Sequence, residues 1–350
     1  MLSASGSDTA PTPAPHQGLE PLRQAVKAGD SAAATELAGR LLAGRDAPFS
    51  PDEGMSLLRS AVERGSARAA STLATLAAGG AWTPQSWPEA LDLLRRAAEG
   101  GEASAQGQLR LLADGGAHCD GSRYGAPDDP ARWGRMAHAV DIAAWMAPLP
   151  RRPICEAPRV RMIDGFATPQ VCDWLIGKGR GRMKRAMMYD GVTKEVGVAD
   201  TRTNSDFIFD IVSADLIVLL VRHRVSAILN IPTVAMEPPQ IFHYAVGQEL
   251  RAHYDTLRMK GSGYANTDYQ GDRIATFLLY LNDDYEGGDL HFPKTGFSCR
   301  GRKGDGLMLA NVDPQGAPDR LSLHAAMPVT KGEKWILSQW IHDRPFSVAV

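Results

Sequence analysis

Hydrophobic positions follow two different periods along the chain, and the change of period divides it. From residue 21 to 147, small apolar residues recur at helical spacing. The motifs AVKAG, AVERG and AAEGG begin at Ala25, Ala61 and Ala97, 36 residues apart, and each is followed by a second helical segment that ends in glycine. A lone helical hairpin cannot bury its apolar face, so the repeat predicts an α-solenoid. The alternative, an ordinary alanine-rich bundle, does not explain the constant spacing.

After a linker at 148–154 the pattern changes. One helix is predicted before the linker, over 130–146, and two after it, one from Thr168-Pro169 and one over 213–229. Beyond Pro239 the apolar segments are short, β-rich and bounded by Gly, Asn, Asp and Pro, which is typical of a β sandwich or barrel. The sequence therefore predicts an α+β multidomain protein with a disordered N-terminus (1–20), a helical repeat domain (21–147), the linker, and a domain over 155–350 with supporting helices and a β core at about 239–346.

Charge and cysteine content narrow the expected partners. Lys and Arg number 38 against 40 acidic residues, so no basic stripe favours nucleic acid. The four cysteines lack a C-x-x-C pair, and no apolar run reaches the length of a membrane span. We expect a soluble, cytoplasmic protein with reduced thiols that binds neither nucleic acid nor membrane. One local cationic run is interpreted as a solvated face, or alternatively as a surface that attracts an acidic partner: Lys178, Arg180, Arg182, Lys184 and Arg185.

His253 and Asp255 are the first candidate metal ligands. Side chains two apart on a strand project to the same face, so both can reach one ion. His324, in the later segment SLHAAMPV, can supply a third ligand. Two imidazoles and one carboxylate form the facial triad of non-haem Fe(II) oxygenases and leave positions open for a 2-oxo acid and dioxygen.

Two further residues have the spacing of a co-substrate site. Lys334 lies ten residues after His324. A hairpin centred near Val329 would bring its ammonium to the far carboxylate of a metal-bound 2-oxo acid. Tyr244 and His253 are symmetric about Gly247-Gln248, so a second hairpin would place the tyrosine hydroxyl at the same pocket.

The stretches HYAVGQELRAHYD, RIATFLLYLNDDYEGGDLHFP, KGDGLMLANV and SLHAAMPVTKGEKWILSQWI resemble the catalytic domain of the prolyl 4-hydroxylase family. The resemblance implies a double-stranded β-helix (jelly roll) that hydroxylates a peptidyl side chain, most commonly proline, while 2-oxoglutarate is decarboxylated to succinate and CO2. It implies Fe(2+), 2-oxoglutarate and O2, with L-ascorbate as a reductant. The residues that it implies are the iron ligands His253, Asp255 and His324, the 2-oxoglutarate ligands Lys334 and Tyr244, and the pocket-lining Thr276 and Trp340.

Arg202, in DTRTNSDFI, resembles the arginine of the family's substrate loop, here 185–205, and is expected to bind the peptide or protein substrate. One stretch departs from the family: Gly287-Gly288-Asp289-Leu290 replaces the usual Gly-Gly-Glu-Thr before Phe-Pro, which puts substrate contacts in doubt. The next residue, His291, is interpreted as a strand surface residue and not as a fourth ligand.

The 36-residue blocks, roughly 21–116, resemble the Sel-one-like repeats, relatives of the tetratricopeptide repeat, and imply a protein partner on the solenoid. The main competing hypothesis is a repeat scaffold whose β domain binds metal or 2-oxoglutarate as a sensor without turnover. A cupin-type metal enzyme is a third reading, but it leaves Lys334 unexplained.

Overall fold

The computed structural model describes residues 18–115, 122–126, 129–189, 196–197, 200–259 and 271–346. These residues form two compact units that divide between Glu102 and Ala103. The predicted disordered segment lies outside the described residues up to position 17, and the first helix begins at Leu19. The predicted domain boundaries at 147 and 154 stay a prediction.

The first unit consists of helical hairpins at the predicted period. Its described helices are α1 (Leu19–Lys27), α2 (Ser31–Ala43), α3 (Pro51–Glu63), α4 (Ala67–Gly79) and α5 (Trp87–Glu99). Gly44 and Gly80 end α2 and α4 in the left-handed conformation, with φ of 59° and 68°. The equivalent Ala38 and Ala74 are fully buried, so small side chains let neighbouring helices approach closely. The predicted repeat architecture is confirmed.

The described helices of the second unit are α6 (Ala103–Ala113), α7 (Arg132–Ala139), α8 (Ile142–Met146), α9 (Pro169–Gly179) and α10 (Leu216–Leu229). Although α6 keeps the repeat spacing, it is tied to this unit because the Gln108 side chain accepts a hydrogen bond from the Leu216 backbone N–H at 3.0 Å. The prediction of one helix over 130–146 is wrong. Val140 is extended, with ψ of 117°, and Asp141 caps a separate helix by accepting from the Ala144 N–H. No helix among the described residues is long and apolar enough to span a bilayer.

Short 3-10 helices lie at Ser122–Tyr124, Thr233–Ala235 and Arg320–Ser322. The described strands are β1 (Arg152–Cys155), β2 (Val160–Ile163), β3 (Lys184–Arg185), β4 (Met188–Tyr189), β5 (Val196–Gly197), β6 (Ser205–Ile208), β7 (Gln240–Tyr244), β8 (Leu250–His253), β9 (Arg273–Tyr280), β10 (Glu286–Gly287), β11 (Leu290–Phe292), β12 (Phe297–Cys299), β13 (Gly306–Ala310), β14 (His324–Ala326), β15 (Val329–Lys331) and β16 (Lys334–His342).

Two antiparallel sheets of the described strands enclose the core of the second unit. The large sheet has the order β1-β2-β13-β9-β16-β7-β6-β3, and the small sheet has the order β12-β11-β14-β8. Phe242 and Tyr280 of the large sheet pack in one buried cluster with Leu290 and Phe292 of the small sheet. This arrangement confirms the predicted jelly roll. Four strands of the large sheet, β1, β2, β3 and β6, precede Pro239, so the sheet begins well before the predicted core.

Both predicted hairpins are wrong, because the chain changes sheet at each. β7 lies in the large sheet and β8 in the small one, and the same holds for β16 and β14. The observed pairs are Tyr244 with Lys334, and His253 with His324. The second switch passes very close to Gly287, where a Cβ would lie 2.4 Å from the Pro328 carbonyl oxygen. Glycine therefore permits this crossing.

Candidate active site

Strand pairing in the small sheet assembles the predicted metal donors. His253 and His324 are cross-strand partners, and their ring centroids are 4.4 Å apart. Asp255 joins them from just beyond β8, which ends at His253, and not from the strand face on which it was predicted. Its Oδ1 lies 3.5 Å from His253 Nε2 and its Oδ2 lies 3.6 Å from His324 Nε2.

Hydrogen bonds fix which nitrogen of each imidazole faces the carboxylate. His253 Nδ1 lies 2.9 Å from the Arg251 carbonyl oxygen, and His324 Nδ1 lies 2.9 Å from the Ser322 carbonyl oxygen. Because a carbonyl only accepts, both Nδ1 atoms carry the proton and both Nε2 lone pairs point into the site. Such outer hydrogen bonds orient histidine ligands in metal centres.

Burial and charge set the protonation of the group. Burial, with the neighbouring His253, lowers the pKa of His324 to about 4, so this imidazole is neutral at physiological pH. Burial alone would raise the pKa of Asp255. The opposing effects of His324, His253 and the Thr276 hydroxyl outweigh it, and the carboxyl pKa lies well below its usual range. The site therefore offers the neutral imidazole of His324 and the anion of Asp255 beside the His253 ring.

The donor geometry fits one ion. Bonds of about 2.1 Å place two donors on one metal about 3–4 Å apart, which the two measured separations match. Within the described part of the chain, these three residues are the one group of His, Cys, Asp or Glu donors with all ligand atoms inside 4.8 Å. His291 is not part of it; its Nδ1 lies 2.8 Å from Ser298 Oγ, as expected for a strand surface residue.

A buried cation lies on the facing sheet. Lys334 and Tyr244 are paired on β16 and β7, are 2% and 1% exposed, and line the same cavity of about 270 Å³ as the three donors. Lys334 Nζ donates to the Gly288 carbonyl oxygen at 2.6 Å and lies 5.3 Å from the centre of the Tyr244 ring. Burial lowers the pKa of Lys334 to about 8. A carboxylate entering here would find a poorly solvated ammonium.

Thr276 and Trp340, the two predicted pocket residues, also line the cavity, but through different contacts. The Thr276 hydroxyl donates to Asp255 Oδ2 at 2.6 Å and accepts from Asn311 Nδ2 at 3.0 Å. Trp340 packs under Arg273, whose guanidinium carbon is 3.8 Å from the ring centre. Thr276 therefore orients a metal donor, whereas Trp340 forms part of the wall.

Arg202 also reaches this cavity. It is 9% exposed, lies 4.8 Å above the Phe242 ring, and donates to Asn204 Oδ1 at 3.1 Å and to Asp206 Oδ2 at 3.2 Å. In the predicted substrate loop, positions 190–195 and 198–199 lie outside the described residues.

Sequence reasoning missed several residues around the cavity. Asn311 is fully buried behind Thr276, and Glu237 pairs with Arg273 and His342. Asn204 and Asp206 could have been suspected from their places beside Arg202. The spacing of the other residues carries no signal, because they meet only through pairing between distant strands.

A two-sheet β fold with a His-Asp-His donor group and a buried lysine on one cavity defines the class of metal-dependent oxygenases that use a 2-oxo acid. Residues 239–342 match the family model of the 2OG-Fe(II) oxygenase superfamily. The chain is 33% identical over 210 residues to probable prolyl 4-hydroxylase 7 of Arabidopsis thaliana, covering 55% of this chain and 65% of that protein. It is 32% identical over 227 residues to probable prolyl 4-hydroxylase 9 of the same plant, covering 60% and 77%.

The chain belongs to the prolyl 4-hydroxylase family of 2OG-Fe(II) oxygenases. It is a 2-oxoglutarate-dependent dioxygenase, and its cofactor and co-substrates are Fe(2+), 2-oxoglutarate and O2.

Two solved structures are similar in part. The 2OG complex of the viral collagen prolyl hydroxylase of Paramecium Bursaria Chlorella virus-1 is 24% identical, covers 54% of this chain and 98% of its own, and gives a TM-score of 0.42. A Sel1 repeat protein from Oxalobacter formigenes is 28% identical, covers 35% of this chain and 88% of its own, and gives a TM-score of 0.27.

Proposed function

We propose that this dioxygenase hydroxylates a prolyl side chain of a peptide or protein, with 2-oxoglutarate converted to succinate and CO2 and with ascorbate as a supporting reductant. One observation carries the proposal: the three metal donors and the buried Lys334 line the same cavity. His253 and His324 reach it from the small sheet, Asp255 from just beyond β8, and Lys334 from the large sheet. Bound Fe(II), with 2-oxoglutarate and dioxygen, supplies the oxidising chemistry.

The protein's own residues have positioning roles in this proposal. His253, Asp255 and His324 would hold the ion, and Lys334 with the Tyr244 hydroxyl would bind the far carboxylate of 2-oxoglutarate. Leu278, Leu290 and Ile336 also line the cavity and would exclude water around that carboxylate, which strengthens its attraction to the ammonium.

Arg202 is proposed as a positioning residue for the peptide. Its guanidinium is already held by Asn204 and Asp206 over Phe242, so it supports the shape of the cavity wall and leaves fewer N–H groups for a substrate carbonyl. The expectation is that Arg202→Lys raises the KM for the peptide more than the KM for 2-oxoglutarate, because lysine cannot reproduce the forked contacts.

Turnover of a proline-containing peptide library tests the proposal. Purified full-length protein with Fe(II), 2-oxoglutarate and ascorbate should form succinate and a peptide heavier by one oxygen atom, and fragmentation should place that oxygen on proline. His253→Ala should abolish both products, whereas His291→Ala, a histidine of the same sheet outside the donor group, should retain them.

The same assay distinguishes a dioxygenase that turns over from a sensor that only binds metal or 2-oxoglutarate. Tight 2-oxoglutarate binding with no succinate from any peptide, under conditions in which iron is bound, would contradict turnover. Oxygen placed on another residue would retain the dioxygenase and reject the prolyl specificity.

The repeat unit is proposed to bind a protein. Phe49 and Trp82 lie on its surface, 45% and 39% exposed, with ring centroids 6.2 Å apart, and exposed aromatic pairs are common at protein interfaces. Trp82→Ala should lower turnover of an intact protein substrate while leaving turnover of a short peptide unchanged; equal effects on both would contradict this role. Cytoplasmic localisation also stays a proposal, which a fluorescent fusion would test.

A further inference from the structure

A groove of about 620 Å³ lies between α6 and α9 of the second unit. It shares no lining residue with the cavity that holds the three metal donors. Leu111 of α6 and Trp174 of α9 form its apolar part, and the cationic run singled out in the sequence begins at its edge with Lys178. The proposed hydroxylation uses none of these residues.

The apolar floor of the groove is rigid. The Trp174 indole N–H donates to Asp215 Oδ2 at 2.9 Å, and the ring lies directly on α6, where a Cβ at Gly107 would be 2.5 Å from it. Trp174 is nevertheless only half-buried. The ring is therefore fixed with part of its surface open to the groove. Because the ring is already ordered, binding a ligand against it has a lower entropic cost.

Gly177 leaves the groove wide. It lies inside α9, where glycine destabilises a helix relative to alanine. A Cβ built there has no heavy atom of the described residues within 4 Å, so packing inside the protein does not require glycine. The residue keeps the wall beside Trp174 free of side chains.

The rim of the groove is positively charged. Arg110, Lys178 and Arg182 line it, and Asp173 is the one lining carboxylate. Asp173 is paired with Lys303 at 2.6 Å, and Lys178 is paired with the buried Asp215 at 3.2 Å, so the four cations outnumber the two carboxylates. Lys184, two residues after Arg182, is exposed on the edge strand β3. The described surface around the groove thus has an excess of cations, although the whole protein has a formal net charge of −2.

We propose that this groove docks an acidic segment of a partner polypeptide, with one large apolar side chain seated on Trp174 and with carboxylates facing Arg110, Lys178 and Arg182. Charge complementarity selects the acidic partner. The fixed indole and the open space at Gly177 select a polypeptide over a nucleic acid, because phosphate contacts alone need no apolar seat. The proposal does not depend on the hydroxylation reaction.

Fluorescence anisotropy on the full chain tests this surface. The probe is a short labelled peptide of glutamate and aspartate around a central leucine. It should bind the wild type, and the binding should weaken as salt is raised. Arg182→Glu should raise its Kd on the order of tenfold, whereas Lys27→Glu, the same charge change at an exposed site of the repeat unit, should leave the Kd unchanged.

A pair of glycine variants separates the groove from general surface charge. Gly177→Gln should abolish binding by filling the space, whereas Gly177→Ala should bind as the wild type does and raise the denaturation midpoint. Iron-dependent succinate formation should be the same in all four variants.

Each of the following results would overturn the proposal: equal Kd values for Arg182→Glu and Lys27→Glu, undiminished binding by Gly177→Gln, or tighter binding of an RNA oligonucleotide than of the peptide. Equal binding of a peptide with serine in place of the central leucine would reject the apolar seat and with it the assignment of the groove.

Discussion

Thr276→Val tests whether a residue of the large sheet orients the metal ligand Asp255. The substitution keeps the side-chain shape and removes the hydroxyl that donates to Asp255 Oδ2 at 2.6 Å. Thr276 and Asp255 are 3% and 4% exposed, so water cannot easily replace the lost bond. Asn311, which donates to the same hydroxyl at 3.0 Å and is fully buried, loses its acceptor as well.

The magnitude follows from these contacts. A buried hydrogen bond to a charged group contributes about 1.5–3 kcal/mol. Removing an outer-shell partner of a metal ligand typically weakens metal affinity about 10–100-fold. We therefore expect Thr276→Val to lower the free energy of unfolding of the metal-free protein and, in addition, to raise the Kd for Fe(II) or Mn(II) by one to two orders of magnitude.

Thr256→Val is the matched control. Thr256 is also fully buried, and its hydroxyl donates to the buried Asp272 at 2.8 and 2.9 Å. Among the residues that the structure describes, Asp272 belongs to no group of metal donors. The assay is anaerobic Mn(II) titration of both variants by calorimetry, with urea unfolding alongside. Both should lose stability, and only Thr276→Val should lose metal affinity. Equal metal affinity in the two variants would refute the idea that this hydroxyl orients Asp255.

Three further outcomes follow from the cavity and from the sheet switch at Gly287. Burial lowers the pKa of Lys334 to about 8, so its ammonium is present below that pH and lost above it. The Kd for 2-oxoglutarate should therefore rise about tenfold per pH unit above pH 8, and Lys334→Arg should make this Kd less dependent on pH. Gly287→Ala should lower the free energy of unfolding by about 2–4 kcal/mol, because the new Cβ would strike the Pro328 carbonyl oxygen. Gly296→Ala, at the same φ of 71° but in open space, should lower it by about 1 kcal/mol. Equal losses in urea titrations would contradict the close approach at the sheet switch. Leu290→Thr should weaken 2-oxoglutarate binding about threefold, because a polar side chain in the apolar wall admits water beside the carboxylate, whereas Leu290→Val keeps the wall apolar and should bind as the wild type does. Calorimetry that shows no difference between the two variants would reject this role.

The local patterns of the sequence predicted the elements well. The short β-rich segments RIATFLLY and KWILSQWI correspond to β9 and β16. Thr168 caps α9 by accepting from the Val171 N–H, as the Thr-Pro signal predicts. The weaker signals belong to β3 and β6, which are short and partly exposed. In the large sheet β6 pairs with β7 and β3 pairs with β6, and no local pattern encodes either pairing.

The site shows the same limit. His253, Asp255 and His324 could be named from residue type and spacing, and the structure brings them together. The hairpins that were expected to do so do not exist, because strand alternation cannot tell which of two sheets receives the next strand. The Asn311–Thr276 and Glu237–Arg273 contacts could not be predicted for the same reason, since each joins residues far apart in sequence.

The most direct test of the central claim is a crystal structure of the full chain grown anaerobically with Mn(II) and 2-oxoglutarate, with the metal located by its anomalous signal. We predict one metal bonded to His253 Nε2, His324 Nε2 and Asp255, and a 2-oxoglutarate whose far carboxylate lies within hydrogen-bond distance of Lys334 Nζ and the Tyr244 hydroxyl. A metal bound elsewhere, or a 2-oxoglutarate carboxylate that avoids Lys334, would contradict it.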